Sequence, residues 1–178
     1  MKHILTAGVI VLLILIVLPT QVKAQYSPPY TPYAIRAAYD VDPLLQAGYT
    51  GKGVTVAVVN QGIDGTFYSD LVAFSAKYGL PNPLTSELSS VTPFGTPGTN
   101  QECPTGETTG DVEFVHAIAP DAKILLILTG VGTNGPPCDR ILDGFSYVID
   151  NNAADVAVLS PSRAFWDNNG SARSTMLS

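Results

Sequence analysis

The chain has 178 residues, of which 46% are hydrophobic and 13% charged, and its formal net charge at pH 7 is −6. This length suits one domain with a buried core, and the composition argues against a disordered protein, which would be less hydrophobic and more charged. The acidic balance, with a pI of about 4.6, argues against a nucleic-acid partner, because no Lys/Arg patch is available to neutralise phosphates.

The first 24 residues predict a secretory signal peptide. A polar start at Lys2 precedes an apolar run over residues 4–18, which Pro19 ends, and small residues occupy the positions before a cleavage point after Ala24. The run is shorter than the roughly 20 apolar residues that span a bilayer. We therefore expect cleavage after Ala24 and a secreted chain. The alternative is a segment that is retained as a membrane anchor.

The elements predicted next alternate between helix and strand. A Pro- and Tyr-rich arm leads into a helix over 33–39, and residues 42–53 predict a short helical turn followed by a Gly-rich loop. Apolar, largely β-branched runs of strand length predict buried strands at 54–59, 122–130 and 154–160.

Helical spacing of apolar residues predicts three longer helices. The first is capped by Ser69 or Asp70, the second begins near Gly106, and the third covers 139–152. Residues 82–105 are rich in Pro, Gly, Ser and Thr and predict a long loop. The order of strands and helices indicates an α/β fold with a doubly wound, mostly parallel sheet.

Glu107 and Asp111 form an unusual pair in a chain with so few charges. If a helix begins near Gly106, they lie four residues apart on one face and repel each other. Where water is excluded, one carboxyl relieves the repulsion by keeping a proton, and the pair then shares a hydrogen bond. One member can accept a proton from a nucleophile while the other orients it, most effectively below neutral pH. The alternative is that both simply stabilise the helix N-terminus.

Two other ionisable residues of this segment are not assigned to the pair. His116 lies about 140° from Asp111 around an ideal helix, and we expect it to be packed or partly exposed. Glu113 points away from the pair on the same helix. We expect its carboxylate to be solvated.

Cys103 and Cys138 are the two cysteines of the chain. In an exported protein a disulfide between them is plausible. The alternative is two unpaired thiols in neighbouring loops, since pairing requires Cα atoms within about 7 Å. Two cysteines and one nearby histidine are too few for a zinc site.

The segment "GETTGDVEFVHAIAPDAKI" (106–124) resembles the catalytic helix of the sedolisin family, the serine-carboxyl peptidases. That helix carries Glu-x-x-x-Asp-Val-Glu/Gln and continues to Ala-Pro-x-Ala. The segments "YTPYAIRAAYDV" (30–41), "VTVAVVNQGIDGTFYSDLVAFSAKYGLP" (54–81) and "DVAVLSPS" (155–162) are similar to other parts of the family domain. The resemblance therefore extends from about residue 30 to residue 162.

The resemblance implies a subtilisin-like fold and peptide-bond hydrolysis in acid. It implies that Glu107 is the general base for a serine nucleophile and that Asp111 orients Glu107. In the strand that resembles a subtilisin strand ending in a catalytic Asp, Asn60 occupies the place of that Asp. The place of the subtilisin histidine helix is taken by the helix of the acidic pair. A histidine-based triad is therefore not expected.

The chain departs from the family in what it lacks. Complete members contain an Asp in a Gly-Asp-Ser-Gly-like turn and a nucleophilic Ser in a Gly-Thr-Ser motif, followed by a calcium-binding loop. Neither motif occurs here, and the late serines Ser160, Ser171, Ser174 and Ser178 lie in no such pattern. We expect residues 25–178 to be a truncated peptidase domain, incomplete at the C-terminus, nearly inactive alone, and without a cofactor of its own.

Three functions follow from these patterns. The leading one is a serine-type endopeptidase of the sedolisin family, which acts on polypeptides outside the cell at acidic pH. The second is an exported, non-catalytic protein of the same fold that binds peptides or a partner chain. The third, an ordinary subtilisin-like peptidase, would require a His near residue 107 and an Asp at residue 60, and the sequence has neither.

Overall fold

The computed structural model describes residues 29–63, 65–96, 106–130 and 140–159. The chain divides into two units, Met1–Tyr30 and Thr31–Ser178, and every element below belongs to the second. The helices are α1 Pro32–Ala38, α2 Asp42–Gln46, α3 Phe67–Lys77, α4 Gly106–Ile118 and α5 Ile141–Asp150. The strands are β1 Thr55–Asn60, β2 Leu88–Val91, β3 Lys123–Leu128 and β4 Val156–Leu159, and a 3-10 turn at Thr85–Glu87 precedes β2.

The four strands form one all-parallel sheet in the order β2-β3-β1-β4. The central strand β1 is paired from Thr55 with Lys123 to Asn60 with Leu128 on one side, and with β4 on the other. Because the strands are parallel, all their carboxyl ends lie at one edge of the sheet. Asn60 ends β1 at that edge.

Helices cover the sheet on both faces, as expected when parallel strands are joined by helical crossovers. On the face that we call the α4 face, Leu71 of α3 and Val112 of α4 pack with Val58. On the opposite α5 face, Ile141 packs with Val59. Neighbouring strand residues point to opposite faces, which is why a continuous apolar run such as β1 is buried on both sides. The predicted α/β architecture is confirmed.

Gly144 allows α5 to approach the sheet closely. A Cβ at this position would lie 2.5 Å from Cγ2 of Thr129 and 2.6 Å from Cγ1 of Val59. No side chain fits into that space. A glycine is therefore needed at the point where α5 crosses the ends of β1 and β3.

The α4 face of β4 is less well covered than its α5 face. The parallel register pairs Val156 with Val56 and Val158 with Val58, and so places both β4 residues on the α4 face. Val156 is 49% exposed. Within the described ranges, neither side chain belongs to the core cluster that α3 and α4 form.

Two predictions about the elements are wrong. The predicted loop 82–105 contains the strand β2, whose Leu88–Val91 pairs with β3. The helix α3 begins at Phe67, earlier than a cap at Ser69 or Asp70 would allow. The hydroxyl of Thr66 donates to Oδ2 of Asp70 at 2.7 Å, so Asp70 lies inside the first turn and does not cap the helix.

Several predictions fall outside the described residues. These are the signal peptide over 1–24, the pairing of Cys103 with Cys138, and the tail after residue 159. Among the helices that the structure does describe, none has the length and apolar character needed to cross a membrane.

Candidate active site at the carboxyl edge of the sheet

Asn60 is held in place by hydrogen bonds on both sides of its buried amide. The residue is 1% exposed. Its Nδ2 donates to Oδ2 of Asp111 at 3.2 Å, and its Oδ1 accepts from the backbone N–H of Gln61 at 3.0 Å. Its backbone carbonyl accepts from the N–H of Thr129 at 2.9 Å. The end of β1 is thereby joined both to β3 and to the acidic side chain on α4.

Thr108 fixes the first turn of α4 against the loop after β1. Its fully buried hydroxyl donates to the carbonyl oxygen of Gly62 at 2.7 Å. One turn later, Val112 is fully buried in the core. With this turn in place, Glu107 and Asp111 lie at i and i+4 on one helix face, as the spacing predicted.

The two carboxyls of the pair have different surroundings. Asp111 is half-buried, whereas Glu107 is exposed. Burial raises the pKa of Asp111 from its ordinary 3.8 to about 6, the nearby charge of Glu107 raises it as well, and the hydrogen bond from Asn60 opposes both effects. Asp111 therefore keeps its proton in mild acid, where an ordinary aspartate is ionised. The catalytic roles of the two residues remain predictions.

The prediction that Glu113 is solvated is wrong. Glu113 is half-buried, and its pKa is raised first by that burial and then by the charge of Asp70 on α3. The cause is the packing of α3 against α4, since it removes water from that side of the helix.

His116 is packed, as predicted. It is 4% exposed, and its Nε2–H donates to the carbonyl oxygen of Pro81 at 2.8 Å. This bond links α4 to the segment that follows α3. The histidine therefore serves the packing of two helices.

Thr109 carries a buried polar atom that no sequence pattern predicts. The residue is 9% exposed, and within the described part of the chain its Oγ1 has no hydrogen-bond partner. A buried hydroxyl without a partner costs about 1–3 kcal/mol. The adjacent Thr108 has its bond to Gly62, so the two neighbouring threonines differ sharply in their contribution to stability.

The described residues do not form a metal centre. Within residues 29–63, 65–96, 106–130 and 140–159, no three His, Cys, Asp or Glu side chains gather as a metal site requires. That the chain has no cofactor of its own stays a prediction.

No protein-family model matches the chain, and no curated protein sequence matches it. The sedolisin resemblance consequently rests on the motifs themselves and on their order.

An exposed carboxylate beside a half-buried, protonated carboxyl is suited to proton transfer. Glu107 is accessible to a hydroxyl group brought to this edge of the sheet, and Asp111 can donate a hydrogen bond while it remains neutral. Asn60 in turn holds Asp111 from the side of the sheet. The arrangement can take a proton from a nucleophile and return it to a leaving group.

Proposed function

We propose that this chain provides the general-base part of a serine-carboxyl peptidase of the sedolisin type, with a subtilisin-like fold, acting on polypeptides in an acidic medium outside the cell. The observation that carries the proposal is the placement of Asp111, half-buried beside Glu107 on one helix face and bonded to Asn60 at the carboxyl end of the central strand. The raised pKa of Asp111 agrees with it. The all-parallel sheet with helices on both faces supports the proposed subtilisin-like fold.

In the proposed reaction, Glu107 accepts the hydroxyl proton of a serine as its oxygen attacks the carbonyl carbon of the substrate. The C–O bond forms as the carbonyl π electrons move to oxygen. The intermediate then collapses, the C–N bond breaks, and Glu107 returns its proton to the leaving amine. Asp111 keeps its own proton below about pH 6, so the pair carries no more than one negative charge in acid, which accounts for the proposed preference for acid.

The nucleophile belongs to further polypeptide under this proposal. The sequence contains no Gly-Thr-Ser and no Gly-Asp-Ser-Gly segment. Removal of the nucleophile from a catalytic triad lowers the rate by several orders of magnitude. We expect the 178 residues alone to be nearly inactive, and cleavage of a peptide at pH 3–5 that Glu107→Gln abolishes would contradict this.

The test begins with the DNA directly downstream of the coding sequence. A continuation, in frame or frameshifted, that encodes Gly-Asp-Ser-Gly and Gly-Thr-Ser motifs would supply the missing polypeptide. Peptide hydrolysis at pH 3–5 by the chain joined to that continuation should fall at least about 10³-fold in Glu107→Gln. Glu113→Gln, on the same helix but facing α3, is the control and should retain activity. Equal losses in both variants would contradict the assigned role of Glu107.

The α4 face of β4 favours a second candidate, a non-catalytic protein that binds a peptide or partner chain. Val156 is 49% exposed there, and Val158, which lies on the same face, is partly buried. An apolar strand face of this kind could take a partner. Unrelated sequence downstream, together with binding to a partner that Val156→Glu disrupts, would support this candidate over the peptidase.

A further inference from the structure

We propose that Asn60 is a positioning residue that keeps the proton of neutral Asp111 on Oδ1 and away from Oδ2. The consequence for catalysis rests on the proposed function, because a proton fixed on one oxygen gives Asp111 a fixed direction in which to donate. The placement of the proton itself rests only on the contacts of the buried amide.

The orientation of the Asn60 amide follows from its neighbours. The backbone N–H of Gln61 lies 3.0 Å from Oδ1, and an N–H can only donate. The atom that receives this bond must therefore be the amide oxygen, and the amide nitrogen must face Asp111. Because Asn60 is 1% exposed, the amide cannot turn toward bulk water without losing both bonds.

The amide nitrogen determines which oxygen of Asp111 can carry hydrogen. Nδ2 donates to Oδ2 at 3.2 Å. A proton on Oδ2 directed toward Nδ2 would bring two donors face to face and abolish this bond. Because the carbonyl oxygen of a neutral carboxyl is a better acceptor than its hydroxyl oxygen, the bond from Nδ2 favours the hydrogen on Oδ1, and Oδ2 accepts from Asn60 in both protonation states.

The charged groups near α4 do not alter this assignment. Glu107, on the same helix, adds negative charge beside Asp111. Asp70 of α3 acts on Glu113. Arg36 of α1 donates to the carbonyl oxygen of Ala117 at 3.5 Å, near the opposite end of the helix. From β1, the contact with Asp111 is the uncharged amide of Asn60.

The bond to Asp111 consequently depends on a side chain at residue 60 that can donate. A carboxylate at this position could not donate to Oδ2, so a bond to Asp111 would need a proton on one of the two carboxyls. Asn60→Asp would therefore create two coupled, partly buried carboxyls that titrate as a pair. Asn60→Leu, whose side chain has the same number and branching of heavy atoms, would remove the donor without adding a charge.

The test uses NMR on the full chain and needs no catalytic activity. Hydrogen exchange of the Asn60 side-chain amide should remain protected on both sides of the Asp111 titration, at about pH 4 and about pH 7. The carboxyl carbon of Asp111 should titrate near pH 6. Loss of amide protection below that midpoint would overturn the proposal, because it would show that the proton takes the place of the Nδ2 bond.

Variants provide a second readout. Asn60→Leu should raise the Asp111 midpoint by about 0.5–1 in pH, since it removes the bond that opposes protonation. Thr129→Val is the matched control, because Thr129 contacts the backbone carbonyl of Asn60 and not its amide; it should leave the midpoint unchanged. An unchanged or lowered midpoint in Asn60→Leu would refute the role of the amide. Failure of the peptidase proposal would leave these titrations unaffected.

Discussion

Replacement of Asp111 by Asn tests the electrostatics of the acidic pair directly. Asparagine copies the shape of the protonated carboxyl and keeps an oxygen that can accept from Nδ2 of Asn60. In the wild type, burial raises the folded-state pKa to about 6 from an ordinary 3.8. The folded chain thus binds this proton more tightly than the unfolded chain, and its contribution to stability is lost as pH rises from about 4 through about 6.

The size of the effect follows from the pKa shift. Each pKa unit corresponds to about 1.4 kcal/mol, so the full shift amounts to about 3 kcal/mol. Asp111 is only half-buried, and solvent screening reduces the expected value to about 1–2 kcal/mol. Asp111→Asn should therefore be more stable than the wild type by about 1–2 kcal/mol at pH 7, with a Tm higher by roughly 2–8 °C. The two should be equally stable near pH 3.5.

Urea unfolding of the full chain at pH 3.5, 5 and 7 measures this difference. The matched control is Asp121→Asn, which changes an exposed carboxylate at the other end of α4 and should alter stability by less than about 0.5 kcal/mol at each pH. If the free energies of unfolding of wild type and Asp111→Asn ran parallel over this range, the Asp111 carboxyl would not be desolvated in the folded chain, and its raised pKa would be refuted.

Four further substitutions should change the free energy of unfolding, measured by urea titration. Gly144→Ala should destabilise the fold by about 1–3 kcal/mol, since its Cβ would meet Thr129 and Val59 at 2.5 and 2.6 Å. Gly110 has open space around it, so Gly110→Ala should stabilise the fold by up to about 1 kcal/mol. Thr108→Val should cost about 1–3 kcal/mol because the buried carbonyl of Gly62 loses its donor. Thr109→Val should instead stabilise the fold by about 1 kcal/mol. A loss of stability as large as that in Thr108→Val would show that the Thr109 hydroxyl has a hydrogen-bond partner.

The central part of the fold could be predicted from the sequence because its signals are local. The runs in β1 and β3 are continuous and apolar, which is characteristic of strands buried on both faces. The strand β2 has only the four residues Leu-Ser-Ser-Val, of which the two serines are exposed. It exists through its pairing with β3, from Leu88 with Ile124 to Val91 with Ile127. Such pairing is tertiary context that local propensity does not contain.

At the candidate site, too, the local features could be predicted from the sequence and the tertiary contacts could not. Spacing alone predicted that Glu107 and Asp111 would share a helix face, because both belong to one helix. It could not predict which of them is buried, since that depends on β1 and on Asn60, which lies 51 residues before Asp111 in the chain. The environment of Glu113 was missed for a similar reason, as it is set by α3 packing alongside.

The position of β1 at the centre of the sheet has a consequence for biosynthesis. Of the four strands that the structure describes, it is the first to leave the ribosome, yet its neighbours begin only at residue 123 for β3 and residue 156 for β4. The nascent chain therefore carries its central strand with both edges unpaired until β3 has been synthesised. Contacts between such distant segments form slowly and expose the chain to aggregation in the interval, so a holdase-type chaperone would act best on the emerging residues 55–60.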